Sequence, residues 1–295
     1  MKLFSGSSNI ELAKKLAMSL DAKMGKVELS EFSNSELRVF VSDKCKGEDV
    51  VIVQSLSYPT ERNLVEFCLL CDALARLEAK EIIAVIPWLG YSKQDKVFRI
   101  GEPLSVKVIA KLLQVAPIKK IYTFDLHNPA ILGFFDIPVT NLSARSLFLK
   151  HFKKKITENS IVVAPDEGAV KNSTTFAHEL GIPIVYIDKK RDLITGEVTV
   201  RGVSGGVNGR EVLLVDDMIV TGSTLVETAK YLNNHGVKKI SVAATHHLYV
   251  PGVQEKLEAC GINSIVVTNT ISTKIQSSIL EVLDISSLIR DSLLE

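Results

Sequence analysis

The sequence predicts an α/β protein made of parallel sheets, and three of its features carry that prediction. Short runs rich in Val and Ile alternate with amphipathic stretches along all 295 residues. Most of these runs are continuously apolar, as strands are when helices cover both faces of a parallel sheet. The two halves also repeat one pattern. GEDVVIVQS from Gly47 leads through a loop to NLVE, a helical stretch and AKEIIAVIPWLG. GREVLLVDD from Gly209 leads in the same way to TLVE, a helical stretch and VKKISVAATHHL. The offset is 162 at Val50/Val212 and 161 at Leu64/Leu225, a slip of one residue. Two similar domains are expected, 1–142 and 143–295, meeting near the polar NLSARS at 141–146. No low-complexity linker marks the joint, and the C-terminal tail is free to pack back onto the first domain.

In chain order, strands are expected at VVIVQ from Val50, IIAVIP from Ile82, IYTFD from Ile121 and IVVAPD from Ile161. IVYID from Ile184, VLLVDD from Val212, ISVAATH from Ile240 and SIVVTN from Ser264 continue the series. Helical periodicity lies between them at 8–20, 62–78, 103–115, 170–180, 223–235 and 252–259. In the second of these, Leu64, Phe67, Cys68, Cys71, Leu74 and Ala75 form one apolar stripe. Cys68 and Cys71 therefore read as small core residues, not as a redox pair or half a zinc site.

Composition narrows the function. Lys and Arg total 35 against 34 for Asp and Glu, which leaves no basic footprint for nucleic acid or an anionic membrane. Apolar residues at 46% and charged residues at 23% fit a globular enzyme. No run reaches membrane-spanning length, and the first residues lack a signal-peptide core, so a cytoplasmic location is expected.

The chemistry concentrates in REVLLVDDMIVTGSTLVETAKYL, residues 210–232. A buried strand ends in Asp216 and Asp217, and a short loop then opens a helix. The amides of Thr221, Gly222, Ser223 and Thr224 can converge on one centre, with hydroxyls beside the helix N-terminus. Such a loop holds a phosphate without lysines. Gly222 lets the backbone approach closely, and the two carboxylates suit sugar hydroxyls or a metal ion. Elsewhere, Lys93, Gln94, Asp95, Lys96 and Arg99 gather cations and amides after a strand, as a polyphosphate or a solvated loop would allow.

V-D-D-x-I-x-T-G-x-T resembles the ribose-phosphate loop shared by type I phosphoribosyltransferases and ribose-phosphate diphosphokinases (PRPP synthetases). Three stretches resemble the second family specifically: FSNSELRVFV at 32–41 with QSLSYPTERNLVE, PWLGYSKQDKVFRIGEPLSVK at 87–107, and DLHNPAILGFFDIP at 125–138. PDEG at 165–168, IDKKR at 187–191 and THHL at 245–248 extend the resemblance through nearly the whole chain, in the family's order. The F-R-I-G-E-P spacing looks more like archaeal members than common bacterial or animal ones.

The resemblance implies two phosphoribosyltransferase type I-like domains and transfer of the diphosphoryl group of ATP to ribose 5-phosphate. It assigns ribose 5-phosphate to Asp216, Asp217, Thr221, Gly222, Ser223 and Thr224. Phe32, Asn34 and Glu36 would contact adenine across a dimer, making a homo-oligomer with a shared site. Lys93, Gln94, Asp95 and His127 would lie near ATP, and His127 and Asp166 would bind Mg²⁺. Lys189 and Arg191 would act as catalytic cations on a mobile loop over the reacting phosphates. The chain departs from the family with Asn34 for Asp, Ser35 for Gly, Lys93 for Arg, Val220 for an acidic or small polar residue, and Asn172 for Arg. A catalytically weak regulatory homologue and a phosphoribosyltransferase that consumes PRPP are the competing readings.

Overall fold

The computed structural model describes residues 1–166, 168–191 and 198–295, with the side chains of 189–191 and 198–201 outside the description. The chain divides into two compact units. The first comprises Met1–Ser143, Asn269–Ser272 and Asp284–Glu295; the second comprises Ala144–Thr268 and Thr273–Leu283. The C-terminal 143–295 stretch is therefore not one contiguous body, because its last helix and one short segment belong with the N-terminal residues.

In the first unit a six-stranded parallel sheet runs in the order β2-β1-β5-β6-β7-β8. Its strands are β1 (Lys2–Ser5), β2 (Lys23–Met24), β5 (Asp49–Val53), β6 (Glu81–Val85), β7 (Lys120–Phe124) and β8 (Val139–Leu142). β3 (Val27–Glu31) and β4 (Leu37–Val41) form a separate antiparallel hairpin. The helices are α1 (Ile10–Ser19), α2 (Thr60–Arg76) and α3 (Ser105–Leu113), joined late in the chain by α8 (Ser286–Leu294). A 3₁₀ turn at Pro129–Phe134 starts with Asn128, whose side chain accepts from Ala130 N, and with Pro129 where no N–H is needed.

α2 forms because its apolar residues recur every three or four positions. Leu64, Phe67, Leu70, Cys71 and Leu74 are buried and join the core under β5 and β6. Cys71 lies in that core and Cys68 is half-buried at its edge, both as free thiols whose pKa burial raises.

In the second unit a seven-stranded sheet runs β11-β10-β9-β12-β13-β14-β15. Its strands are β9 (Ser160–Ala164), β10 (Ile184–Arg191), β11 (Val198–Val203), β12 (Glu211–Ile219), β13 (Lys239–His247), β14 (Ser264–Thr268) and β15 (Leu280–Leu283). All pairings are parallel except β10 with β11. The helices are α4 (Arg145–Phe152), α5 (Val170–Leu180), α6 (Ser223–Asn234) and α7 (Val253–Ala259). α5 stops at Gly181, whose φ of 70° is the left-handed closure that glycine accommodates. Val163, Leu214, Val242 and Val267 carry one core across the four central strands.

Every expected strand and helix is present to within a few residues. The sequence reading did not mark β1–β4, β8, β11, β15, α4 or α8, which are short or lie at sheet edges. No described helix is long and apolar enough to cross a membrane.

Candidate functional site

β12 and β13 run on together past their pairing with β9 and β14, and Asp216 and Asp217 lie on that extension. Asp216 and Asp217 are half-buried and do not terminate β12, which pairs with β13 as far as Ile219 and His247. The carboxylates thus stand on rigid strand, not on a loop. Asp216 Oδ1 accepts from Asp217 N at 2.8 Å. Burial raises the Asp216 pKa well above the usual carboxylate range, and the charges of Asp217 and Asp166 raise it further. Asp166, at the end of β9, is held by Ala169 N, which donates to its Oδ1 at 3.0 Å. Asp217 and Asp166 thus lie near enough to Asp216 for their charges to act on it, and carboxylates so placed suit hydroxyl donors.

Beside them α6 begins at Gly222, whose φ is 69°, with no side chain capping its N-terminus. Uncapped amides at a helix start carry partial positive charge and suit an anion. Thr221 and Ser223 are exposed there, their hydroxyls 3.1 Å apart. Carboxylate acceptors and helix-start donors thus come from elements adjacent in sequence.

Lys189 and Arg191 lie among the last three residues of β10, antiparallel to β11 after an irregularity at Asp188/Lys189. Their side chains lie outside the described residues, as do positions 192–197. Asn172, where the family has Arg, accepts from Arg145 Nη2 at 3.0 Å.

The remaining candidates belong to the first unit. Lys93 and Gln94 are exposed on the loop after β6, and Asp95 is half-buried there. Asp95 Oδ2 accepts from Asn128 Nδ2 at 2.6 Å, which joins this loop to the exposed His127. Phe32, Asn34 and Glu36 form the exposed tip of the β3–β4 hairpin, with the Arg38 guanidinium 5.8 Å from the Phe32 ring centre. Asn34 Oδ1 accepts from Glu36 N at 3.3 Å, so this amide oxygen already serves its own turn. Ser35 takes a φ of 68° at the position where the family has glycine.

Comparison with known proteins covers the chain almost end to end. Residues 1–116 match the N-terminal domain of ribose phosphate pyrophosphokinase, and residues 194–294 match the phosphoribosyl synthetase-associated domain. A ribose-phosphate pyrophosphokinase from Campylobacter jejuni is 37% identical over 285 residues, 97% of this chain and 92% of that one. One from Aquifex aeolicus is 37% identical over 295 residues, 99% of this chain and 94% of its own. The chain belongs to the ribose-phosphate pyrophosphokinase family. The crystal structure of a phosphoribosylpyrophosphate synthetase from Mycobacterium smegmatis superposes with a TM-score of 0.90 at 33% identity, covering 99% of this chain and 97% of that one. Membership thus rests on both sequence and fold, and the fold is that of two phosphoribosyltransferase-like units.

Sequence reasoning missed Asn128, which links Asp95 to the turn beside His127. Its signal was present, since Asn before Pro at a turn start is a capping pattern. It also missed a buried network in the first unit. Glu66 accepts from Ser7 N at 2.6 Å, Ser7 Oγ at 2.8 Å and Gln54 Nε2 at 2.8 Å. A glutamate on an apolar helical face was its only trace.

Proposed function

We propose that the chain catalyses transfer of the diphosphoryl group of ATP to the anomeric hydroxyl of ribose 5-phosphate, giving 5-phosphoribosyl 1-diphosphate and AMP. The observation that carries the reading is the pairing of a carboxylate cluster with an uncapped helix start, in a chain related to these enzymes over almost its full length. Asp216 and Asp217 accept hydrogen bonds from the ribose hydroxyls. The amides and hydroxyls of Thr221–Thr224 hold the 5-phosphate and so fix the anomeric oxygen. That oxygen attacks the β-phosphorus of ATP and its proton is lost. The bond from the β-phosphorus to the oxygen bridging it to the α-phosphorus breaks, and AMP departs with that oxygen. Charge accumulates on nonbridging oxygens during the transfer, where Lys189 and Arg191 stabilise it. Lys93, Gln94 and Asp95 line the ATP side, and Phe32, Asn34 and Glu36 contact the adenine of a neighbouring subunit in a homo-oligomer.

Mg²⁺ is the cofactor this reading requires, with His127 and Asp166 as its protein ligands. Among the described residues no group of three or more His, Cys, Asp or Glu could hold a metal alone. Mg²⁺ keeps several waters and takes phosphate oxygens from its substrate, and Asp216 and Asp217 near Asp166 would favour a cation. When bound, it neutralises phosphate charge.

A phosphorus NMR time course with ATP, Mg²⁺ and ribose 5-phosphate tests the proposal. AMP appearing together with a sugar-linked diphosphate is the expected result. ADP in place of AMP would mean ordinary kinase chemistry. Absence of turnover in folded, ATP-binding protein would mean a regulatory homologue.

A further inference from the structure

His247 closes β13 with its ring fully buried, and the chemistry proposed above gives it no part. Its Nδ1 accepts from the Tyr249 N–H at 2.9 Å, which puts the ring proton on Nε2. Burial lowers the imidazole pKa to about 4, so the ring is neutral near pH 7. The ring stacks on Tyr249, with centroids 4.2 Å apart and planes 8° from parallel. Tyr249 depends on this support because its φ is 51°. A side chain enters that left-handed region only with steric strain between Cβ and the backbone.

His247 Nε2, the Tyr249 hydroxyl and Gln254 Oε1 are buried atoms with no hydrogen-bond partner of normal geometry. Nε2 and the Gln254 side chain nonetheless interact, and that contact favours the protonated ring against the effect of burial. Gln254 lies in the first turn of α7 and donates through Nε2 to Glu258 Oε1 at 3.0 Å and Ser277 Oγ at 3.1 Å. A continuous chain of contacts therefore runs from the end of β13 through the Tyr249 turn into α7.

α7 in turn backs the loop at 221–224. A methyl group on Gly222 would stand 3.2 Å from Val253 Cγ1 and 3.3 Å from Leu257 Cδ2. His247 is also paired with Ile219, and Leu248 N donates to Ile219 O at 2.9 Å. Both faces of this corner bear on the residues that open the loop.

We propose that His247 is a positioning residue for the phosphate loop, its ring holding the Tyr249 turn and thereby the seat of α7 against Gly222. The inference rests on the reading of Thr221–Thr224 as the ribose 5-phosphate cradle. It predicts a selective loss of sugar-phosphate affinity, not a general loss of activity.

The test is calorimetric titration of ribose 5-phosphate into the full chain, with steady-state kinetics, for wild type, His247→Phe and His247→Asn. Phe keeps the stacked ring and removes the acceptor, whereas the Asn Oδ1 can take the place of Nδ1. Loss of this hydrogen bond in His247→Phe should raise Kd and KM for ribose 5-phosphate about fivefold. KM for ATP and kcat should stay within about twofold, and His247→Asn should recover most of the affinity. Unchanged ribose 5-phosphate affinity in His247→Phe overturns the proposal and leaves the cradle standing. Equal loss toward both substrates, without recovery in His247→Asn, also overturns it. Failure of the wild type to bind ribose 5-phosphate overturns the cradle and the proposal together. Should His247→Phe not fold, Gln254→Leu breaks the same chain further along, and unchanged affinity there is again fatal to the idea.

Discussion

The two units share a strand plan but treat the carboxyl ends of their strands in opposite ways. Order β2-β1-β5-β6-β7-β8 in the first maps onto β10-β9-β12-β13-β14-β15 in the second, with β11 as an extra edge. Past the end of β9, the charge of Asp166 acts on Asp216 within β12, as does that of Asp217, and α6 starts without a side-chain cap. Where β1 and β5 end, the polar groups satisfy one another. Glu66 takes Ser7 and Gln54 as donors, and Gln54 Oε1 accepts from Ser8 N at 3.1 Å and Ser8 Oγ at 2.6 Å. Asn9 Nδ2 and Ser55 Oγ then bond carbonyls of the late segment at Asn269 and Thr270. One sheet end gathers carboxylates, while the other is closed from within. Fold alone does not make a site; what matters is whether the polar groups at that topological position are already spent on each other.

The sharpest contrast is kinetic. Lys189→Ala, in the second unit, should cut kcat on the order of 100-fold or more while ATP still binds, as expected for a cation acting in the transition state. Unaltered turnover would remove the catalytic assignment. In the first unit Glu66→Ala should act on stability. It takes an acceptor from the buried Gln54 amide and from the exposed Ser7, at a cost of about 1–2 kcal/mol. Denaturant unfolding should show the loss, and the folded fraction should keep its KM for ribose 5-phosphate. A changed KM would break the distinction between a closed end and a working one.

A matched pair of glycine substitutions comes next in size. An alanine at Gly6 would collide with the Gln54 side chain, and Gly6→Ala should cost about 1–3 kcal/mol of stability with little kinetic change. Gly222→Ala places a side chain at a φ of 69° against Val253 and Leu257, costing about 1–2 kcal/mol. It should also raise KM for ribose 5-phosphate several-fold, which Gly6→Ala should not do.

The smallest effect expected is one of pH. The Asp216 pKa is raised on folding, so the folded chain holds that proton to higher pH than the unfolded chain does. Its contribution to stability therefore worsens as pH rises from the ordinary carboxylate range, about 4, to the raised folded value, and stays unfavourable above it. Asp216→Asn should melt above wild type near neutral pH, with the gap closing as pH falls toward about 4. A gap independent of pH would argue against carboxylate crowding.

Much of this was legible in the residues. VLLVDD followed by TGST marks a buried strand, paired acids and a helix start, and all three are found at 212–224. The misplaced details have physical causes. β12 continues past Asp217 because β13 supplies partners as far as His247. IVYID reads as a strand ending at Asp188, yet pairing with β11 extends β10 to Arg191. β2 has two residues and β1 four, too few for periodicity to register.

Local pattern by itself determined the α/β class, the order of the central strands and helices, the internal repeat and the acid pair followed by a helix start at 216–224. Each of these depends on residues within one or two elements, where apolar spacing and glycine placement act directly on the backbone. Only the tertiary structure decided that α8 belongs to the first unit, where Tyr122 donates to Ser292 O at 3.0 Å across 170 residues. It alone paired Glu66 with Ser7 and lodged His247 behind Gly222's loop. Such partners are chosen by burial, which forces each polar group to find a hydrogen bond wherever the fold supplies one.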